Sequence, residues 1–294
     1  MAPKTKPIIT VGIVTRNRRE ELILAIRSVY TQGIDNVEIL VVDNDSEDGT
    51  TEMLFRDFPD VRVIRLRKNP GCPGGRNYIH ANARGDYIVN LDDDAYLGEG
   101  ALRRLIETFE ADPAIGIVSM GVRFIEKTDP DESLDEKMYE VGCFRGTASA
   151  VRKTMIDEIG DYPDDFFLYH EERHLSIRAM SAGYKIVQRP SCFVWHPLVA
   201  GTDGTKLDFF RYRNAMVVII DLYPGWLMVK YLSLRLGSHA LISLRRGTFH
   251  KYLAAVAVIF WRLPHTLITR QVCSAEAVKK FYRLRHAGQV QNLA

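Results

Sequence analysis

Over the first 120 residues, short continuous apolar runs alternate with stretches whose apolar positions recur every three or four residues. A continuous run suits a strand buried on both faces, whereas the longer spacing buries one stripe of a helix. Their repeated alternation leaves few architectures, chiefly a sheet of parallel strands whose connecting helices cover its faces. Residues 8–14, 37–42, 61–66, 86–91 and 115–120 read as the strands. Leu22, Ile26, Val29 and Tyr30 share one face of the first helix; Asn17 and Glu20 have the spacing of a capping pair before it, and Gly33 stops it. Further helices are expected near 50–55, from the Gly-rich turn at 71–75 to about 83, and over 99–110. Beyond 120 the signals loosen. Residues 126–138 read as an exposed acidic loop, 141–151 as a strand, 172–182 as a helix, 184–187 as a strand and 190–197 as a loop. From about 205 the chain becomes helical, apolar and basic.

The formal charge of +2 hides an asymmetry. Residues 201–294 carry 14 lysines and arginines against four acidic residues, a net of +10, which leaves −8 over residues 1–200. Opposite charge on two parts of a chain points to different partners. Cys72, Cys143, Cys192 and Cys273 show neither a CxxC spacing nor a disulfide framework. The first apolar run has seven residues, too few for a secretory signal, so a cytoplasmic protein is expected.

Asp92-Asp93-Asp94 directly follows an expected strand. In extended backbone alternate side chains share a side, which sets Asp92 with Asp94 and turns Asp93 away. Two such carboxylates repel unless a cation lies between them, and Mg²⁺ or Mn²⁺, which prefer oxygen ligands, suit the pair. Ligands of open α/β sheets also bind beyond the carboxyl ends of strands. A solvated acidic turn is the plainer use of a lone triplet, so its neighbours matter.

Val41-Val42-Asp43-Asn44-Asp45-Ser46-Glu47-Asp48-Gly49-Thr50 ends the second strand in a carboxylate, and Asn69-Pro70-Gly71-Cys72-Pro73-Gly74-Gly75-Arg76-Asn77 supplies a Gly-rich turn, an arginine and a helix start. Together with Thr15-Arg16-Asn17 and the acidic triplet, these segments resemble, in order and spacing, the motifs of family 2 glycosyltransferases of the rhamnosyltransferase kind. The resemblance covers about residues 8–200. It implies a GT-A fold, a Rossmann-like α/β domain over 1–204 with a mostly parallel central sheet flanked by helices. The nucleotide-sugar half would span about 1–120 and the acceptor half about 121–204, before a helical, basic extension over 205–294. It further implies transfer, with inversion, from a UDP- or dTDP-sugar (dTDP-rhamnose foremost) to a glycan or lipid-linked acceptor, with Mn²⁺ or Mg²⁺. Carried over residue by residue, Thr15, Asn17, Asp43 and Arg76 border the donor, Asp43 accepting from a pyrimidine imide. Asp92 stands at the ribose and metal, and Asp94 is the principal metal ligand. The plainer roles are a turn former for Asp43, a loop cap for Thr15 and a surface ion pair for Arg76.

Residues 166–178 resemble the family segment in which Glu-Asp opens a helix and the Asp is the catalytic base. Glu171 then matches the Glu and Glu172 the Asp, a departure that keeps the carboxylate one methylene further out. His174 replaces a frequently acidic position. Carboxylates also favour a helix N-terminus without any catalysis. His196 follows Glu172 by 24 positions, where the family often places a metal-binding histidine. A nucleotidyltransferase would share the paired carboxylates but carry glycine in the loop at 15–19, which has none. A catalytically silent binding protein is the other rival, and Glu171-Glu172-Arg173-His174 is the argument for it.

In the basic segment, residues 215–234 include Asp221, Pro224-Gly225 and Lys230, and the apolar run 252–263 has 12 residues, short of the roughly 20 that cross a bilayer. Arg235, Arg245, Arg246, Lys251, Arg262, Lys279, Lys280, Arg283 and Arg285 lie among or after them. Apolar faces flanked by cations suit helices lying on an anionic membrane, here the inner face of the cell membrane. Packing on the catalytic domain or in a homodimer is the alternative. No nucleic-acid-binding module is recognised, so nucleic acid is not an expected partner.

Overall fold

The computed structural model describes residues 6–126, 134–197, 205 and 207–291, with side chains as far as 285. Most of the expected acidic loop and the expected boundary after residue 204 lie outside the described residues. In chain order the elements are β1 (Ile9–Thr15), α1 (Arg19–Tyr30), β2 (Val37–Asp43), α2 (Thr50–Asp57), β3 (Arg62–Arg65), α3 (Gly71–Asn82), β4 (Tyr87–Asp92), β5 (Tyr96–Leu97), α4 (Ala101–Ala111) and β6 (Ile115–Phe124). There follow β7 (Tyr139–Glu140), β8 (Ala148–Arg152), α5 (Lys153–Ile159), α6 (Glu171–Ser181), β9 (Lys185–His196), α7 (Asp208–Leu222), α8 (Gly225–Arg245), α9 (Phe249–Thr269) and α10 (Ala275–Gln291).

The sheet runs β3-β2-β1-β4-β8-β6-β9-β5, with β7 paired to β9. Its first four strands are parallel. Beyond them β8 lies antiparallel between β4 and β6, and β9 returns parallel to β6. Burial of Leu22, Ala25, Ile26 and Val29 fixes α1 on one face; each larger apolar side chain so buried contributes about 1.5–3 kcal/mol. On the other face α3 reaches β1 at Gly12, where an added Cβ would lie 2.2 Å from Ile79.

Residues 190–197 are mostly strand rather than loop. β9 continues to His196 because its pairing with β6 skips from Met120–Arg189 to Gly121–Phe193, leaving Pro190 in a bulge where it owes no ladder hydrogen bond. Conversely, β8 begins only at Ala148. The glycines before it serve close approach: a Cβ on Gly142 would lie 2.4 Å from the Phe281 carbonyl oxygen. Asn17 does not cap α1. Its backbone is left-handed (φ 53°), and its Oδ1 accepts from the Glu47 N–H at 2.8 Å.

The C-terminal helices are partly core. Val218, Ile219 and Leu222 of α7 and Val278 and Phe281 of α10 share one apolar cluster with Leu40, Ile88 and Ile117 of the sheet. Several basic residues are held by ion pairs, Arg213 and Arg262 with Asp165, Arg246 with the fully buried Asp208, and Lys280 with Glu140. The apolar run at 252–263 sits inside a helix of 21 residues, α9, whose flanks stay helical through Pro264. At about 1.5 Å per residue that is about 31 Å, so its length suffices to cross a membrane, contrary to the 12-residue reading.

Candidate active site

The carboxyl ends of β1, β2 and β4 open on a cleft of about 370 Å³ lined by Thr15, Arg18, Asn44, Asp92, Asp93, Asp94 and His196, with Phe167 and Leu168 along one side. A larger cleft of about 900 Å³, around Lys6, Asn36, Glu38 and Arg84, lies at the amino ends of these strands and holds none of the expected residues.

β4 ends at Asp92 and the chain turns at once, so strict side-chain alternation stops there. Asp93 therefore is not turned away: it accepts from the Thr15 hydroxyl at 2.9 Å and shares the Arg18 guanidinium with Asp94. Pairing of β5 with β9, Tyr96 opposite Trp195, brings His196 to Asp94, with Nε2 and Oδ1 3.3 Å apart. The His196 Nδ1 lies 2.7 Å from the Pro197 carbonyl oxygen and donates to it, which leaves Nε2 for a cation or a proton. Ligand atoms of Asp92, Asp94 and His196 all lie within 4.8 Å of one another. Opposite ligands of an octahedral Mg²⁺ stand about 4.2 Å apart, so the three lie near the span that one such ion bridges. Burial, countered by Arg76, pushes the Asp92 carboxyl up to about 7, and burial, countered by Arg18, pushes Asp93 up to about 6. Burial disfavours the charged form of both carboxyls, and a divalent cation among them would favour it.

Arg76 is neither at the surface nor on the cleft wall. Only 4% exposed, it donates through Nη2 to Asp92 Oδ1 at 2.8 Å and to the Gly146 carbonyl oxygen at 2.6 Å. A Cβ on Gly146 would lie 2.2 Å from Glu172 Oε1 and 3.5 Å from Arg76, so the absence of a side chain there lets the three meet. Glu171 is buried, with Oε2 unpartnered; burial and then Glu172 push its carboxyl up to about 8. Glu172 is more open, and burial raises it as well. Entry to α6 passes through two consecutive left-handed residues, Tyr169 (φ 72°) and His170 (φ 71°), each costing about 1–3 kcal/mol. Asn214 of α7 holds that turn by donating to the carbonyls of Leu168 and Tyr169 at 2.9 and 3.0 Å. His174, at the usually acidic position, pairs with Asp221 of α7 at 2.9 Å.

Asp43 is fully buried, and both its oxygens serve its own loop: Oδ1 accepts from the Ser46 N–H at 2.9 Å and Oδ2 from the Thr51 hydroxyl. With Asn17 it shapes the wall behind the cleft. Thr15, Asp92, Asp94 and His196 therefore line one cleft, Arg76, Glu171 and Glu172 form a buried group joined to it at Asp92, and Asn17 and Asp43 brace the loops. Sequence reasoning missed Arg18, Asp93 and Asn44. Arg18, beside the Thr15-Arg16-Asn17 motif, was the one with a usable signal, a cation next to a site of carboxylates.

The profile of glycosyl transferase family 2 matches residues 10–172, more than half the chain, and the protein belongs to that family. Among curated proteins it is similar to N-acetylglucosaminyl-diphospho-decaprenol L-rhamnosyltransferase of Mycobacterium tuberculosis, at 22% identity over 73% of this chain and 87% of that one. Its fold matches S. aureus TarS 1-349 in complex with UDP-GlcNAc (TM-score 0.63, 16% identity, 88% and 82% of the two chains). It also matches mannosyltransferase PcManGT from Pyrobaculum calidifontis in complex with GDP-Man and Mn²⁺ (TM-score 0.59, 18% identity, 99% and 82%). The architecture is the GT-A fold with a C-terminal helical region.

Proposed function

We propose that the protein is an inverting glycosyltransferase moving a sugar from a UDP- or dTDP-sugar to a lipid-linked glycan acceptor at the inner face of the cell membrane. The likeness to the mycobacterial rhamnosyltransferase favours dTDP-rhamnose. The observation that carries the reading is the junction at Arg76 and Gly146, which joins the Asp92–Asp94–His196 cluster to Glu172. Glu172 takes the proton of an acceptor hydroxyl as that oxygen attacks the anomeric carbon and the nucleoside diphosphate departs. Arg76 fixes the orientation of Asp92, and Thr15 that of Asp93. Asp92, Asp94 and His196 would hold a divalent cation, which when bound supplies positive charge for the leaving diphosphate. A single displacement inverts the anomeric centre.

The test is turnover of a panel of UDP- and dTDP-sugars with and without Mn²⁺. Metal-dependent release of nucleoside diphosphate is expected with one of them. Pyrophosphate release would instead indicate a nucleotidyltransferase, and binding without turnover a silent binding protein.

The membrane part of the proposal rests on α8 and α9. Leu253, Phe260, Trp261 and Ile268 of α9 are 52%, 69%, 85% and 86% exposed, Trp226 of α8 is 60% exposed, and Lys230 and Arg245 are exposed nearby. Apolar rings beside cations suit the headgroup region of an anionic bilayer. Flotation with phosphatidylglycerol vesicles at low salt should carry the protein, and Phe260→Ser/Trp261→Ser should release it. If the wild type stays down while sedimenting as a dimer, the face is a dimer interface instead.

A further inference from the structure

Around the first turn of α6, cations gather without matching acids. Arg173, adjacent to Glu172, is only 3% exposed. Its Nη2 donates to the Tyr223 and Tyr282 hydroxyls, and three aromatic rings lie 5.3, 5.5 and 5.8 Å from its guanidinium carbon, yet Nε and Nη1 have no partner. Arg235 of α8 is half-buried, and the charged groups acting on it are Arg173 and Arg285. Among the described residues neither Arg173 nor Arg235 forms an ion pair. His170 and His239 lie within electrostatic range of the same arginines. Burial first, then Arg173, Arg235 and Arg211, hold them far below the ordinary histidine value, at about 3 and about 4. The His239 Nδ1 is also unpartnered.

Two acids stand within reach. Asp208 is already bound by Arg246 and by the Tyr212 and Thr248 hydroxyls. Glu172 immediately precedes Arg173 on α6, and the cation acting on Glu172 itself is Arg76. None of these cations lines the nucleotide cleft. A buried guanidinium without an anion is strongly disfavoured, and its planar fork of donors matches phosphate oxygens.

We infer that Arg173, Arg235, His170 and His239 receive a phosphate or diphosphate group of the acceptor's lipid carrier and hold the acceptor sugar at Glu172. This rests on the transferase reading and names its acceptor class, a sugar on a phosphate-bearing carrier. α8 suits the role, since it brings Arg235 and His239 to this site while exposing Trp226, Val229 and Leu234 where the carrier's lipid would lie.

The test is calorimetric titration of the full chain with inorganic pyrophosphate in EDTA, where the acidic cluster holds no cation to recruit the anion. Saturable binding is expected for the wild type, at least ten-fold weaker binding for Arg235→Gln, partial rescue by Arg235→Lys, and no change for Asp94→Asn. Arg235→Gln should also melt above the wild type without ligand and lose the upward shift that pyrophosphate gives. The inference is overturned by absent wild-type binding, by undiminished binding in Arg235→Gln, or by loss in Asp94→Asn, which would assign pyrophosphate to the donor cleft. A lower melting temperature in Arg235→Gln would mark a structural residue and also overturn it. So would loss of phosphatidylglycerol-vesicle binding in Arg235→Gln with pyrophosphate binding retained, which would make the cluster a headgroup site. No nucleotide sugar is present, so donor turnover stands or falls separately.

Discussion

Glu171 and Glu172 are sequence neighbours with unlike surroundings, and that difference separates their roles. Glu172 faces Gly146 and is partly open, so Glu172→Gln should bind donor normally but transfer sugar about 10²–10⁴-fold more slowly, as read by single-turnover assay. Glu171 is sealed in, with its carboxyl raised to about 8. A carboxyl whose folded value lies above its unfolded value binds more protons when folded. Stability then falls as pH rises from about 4.5 to about 8. Glu171→Gln should flatten that fall and raise Tm at pH 8.5 with little change at pH 4. In the acidic cluster, Asp94→Asn should abolish the Tm rise that Mn²⁺ with nucleotide sugar gives, while the metal-free protein still folds. That Asp92, Asp94 and His196 come together was legible because motif and spacing announced them. The Arg18 contact with Asp93 and Asp94 was not, because it joins residues 75 and 76 positions apart and no local pattern encodes it.

At the scale of elements, legibility followed periodicity. β1, β2 and β4 are continuous apolar runs, and α1 keeps a clean stripe, so tertiary packing reinforced the local signal. Where glycine or proline answers to a distant partner, the local reading failed. Pro190 looked like the start of a loop because its bulge exists only against β6, and Gly142 and Gly146 looked like small strand residues because α10 and Glu172 approach them from elsewhere in the chain. Gly12 offers a quantitative check. Gly12→Ala should cost about 1–3 kcal/mol in urea unfolding by driving a methyl into Ile79, and adding Ile79→Ala should recover part of the loss through the space it opens.

For the whole molecule, the charge asymmetry set the C-terminal helical region apart without revealing its double character. α7 and α10 complete the core beneath the sheet, while α9 turns large apolar side chains outward. A chain ended at residue 204 would bare the surface that α7 and α10 cover, and it should show no cooperative thermal transition by circular dichroism. The apolar composition of the segment announced burial without saying whether protein or lipid provides it, since both favour the same residues.

The bulge in β9 has one more consequence. Trp195 and His196 occupy successive positions of a strand whose side chains alternate, so the number of residues between Arg189 and Phe193 decides which of the two meets Asp94. Length there is a digital setting. Gaining a single codon within 190–192 would carry Trp195 into the position of His196, an indole for an imidazole at the acidic cluster, without altering any residue of the cleft. Inherited variation should therefore reach this stretch by substitution rather than by a change of length.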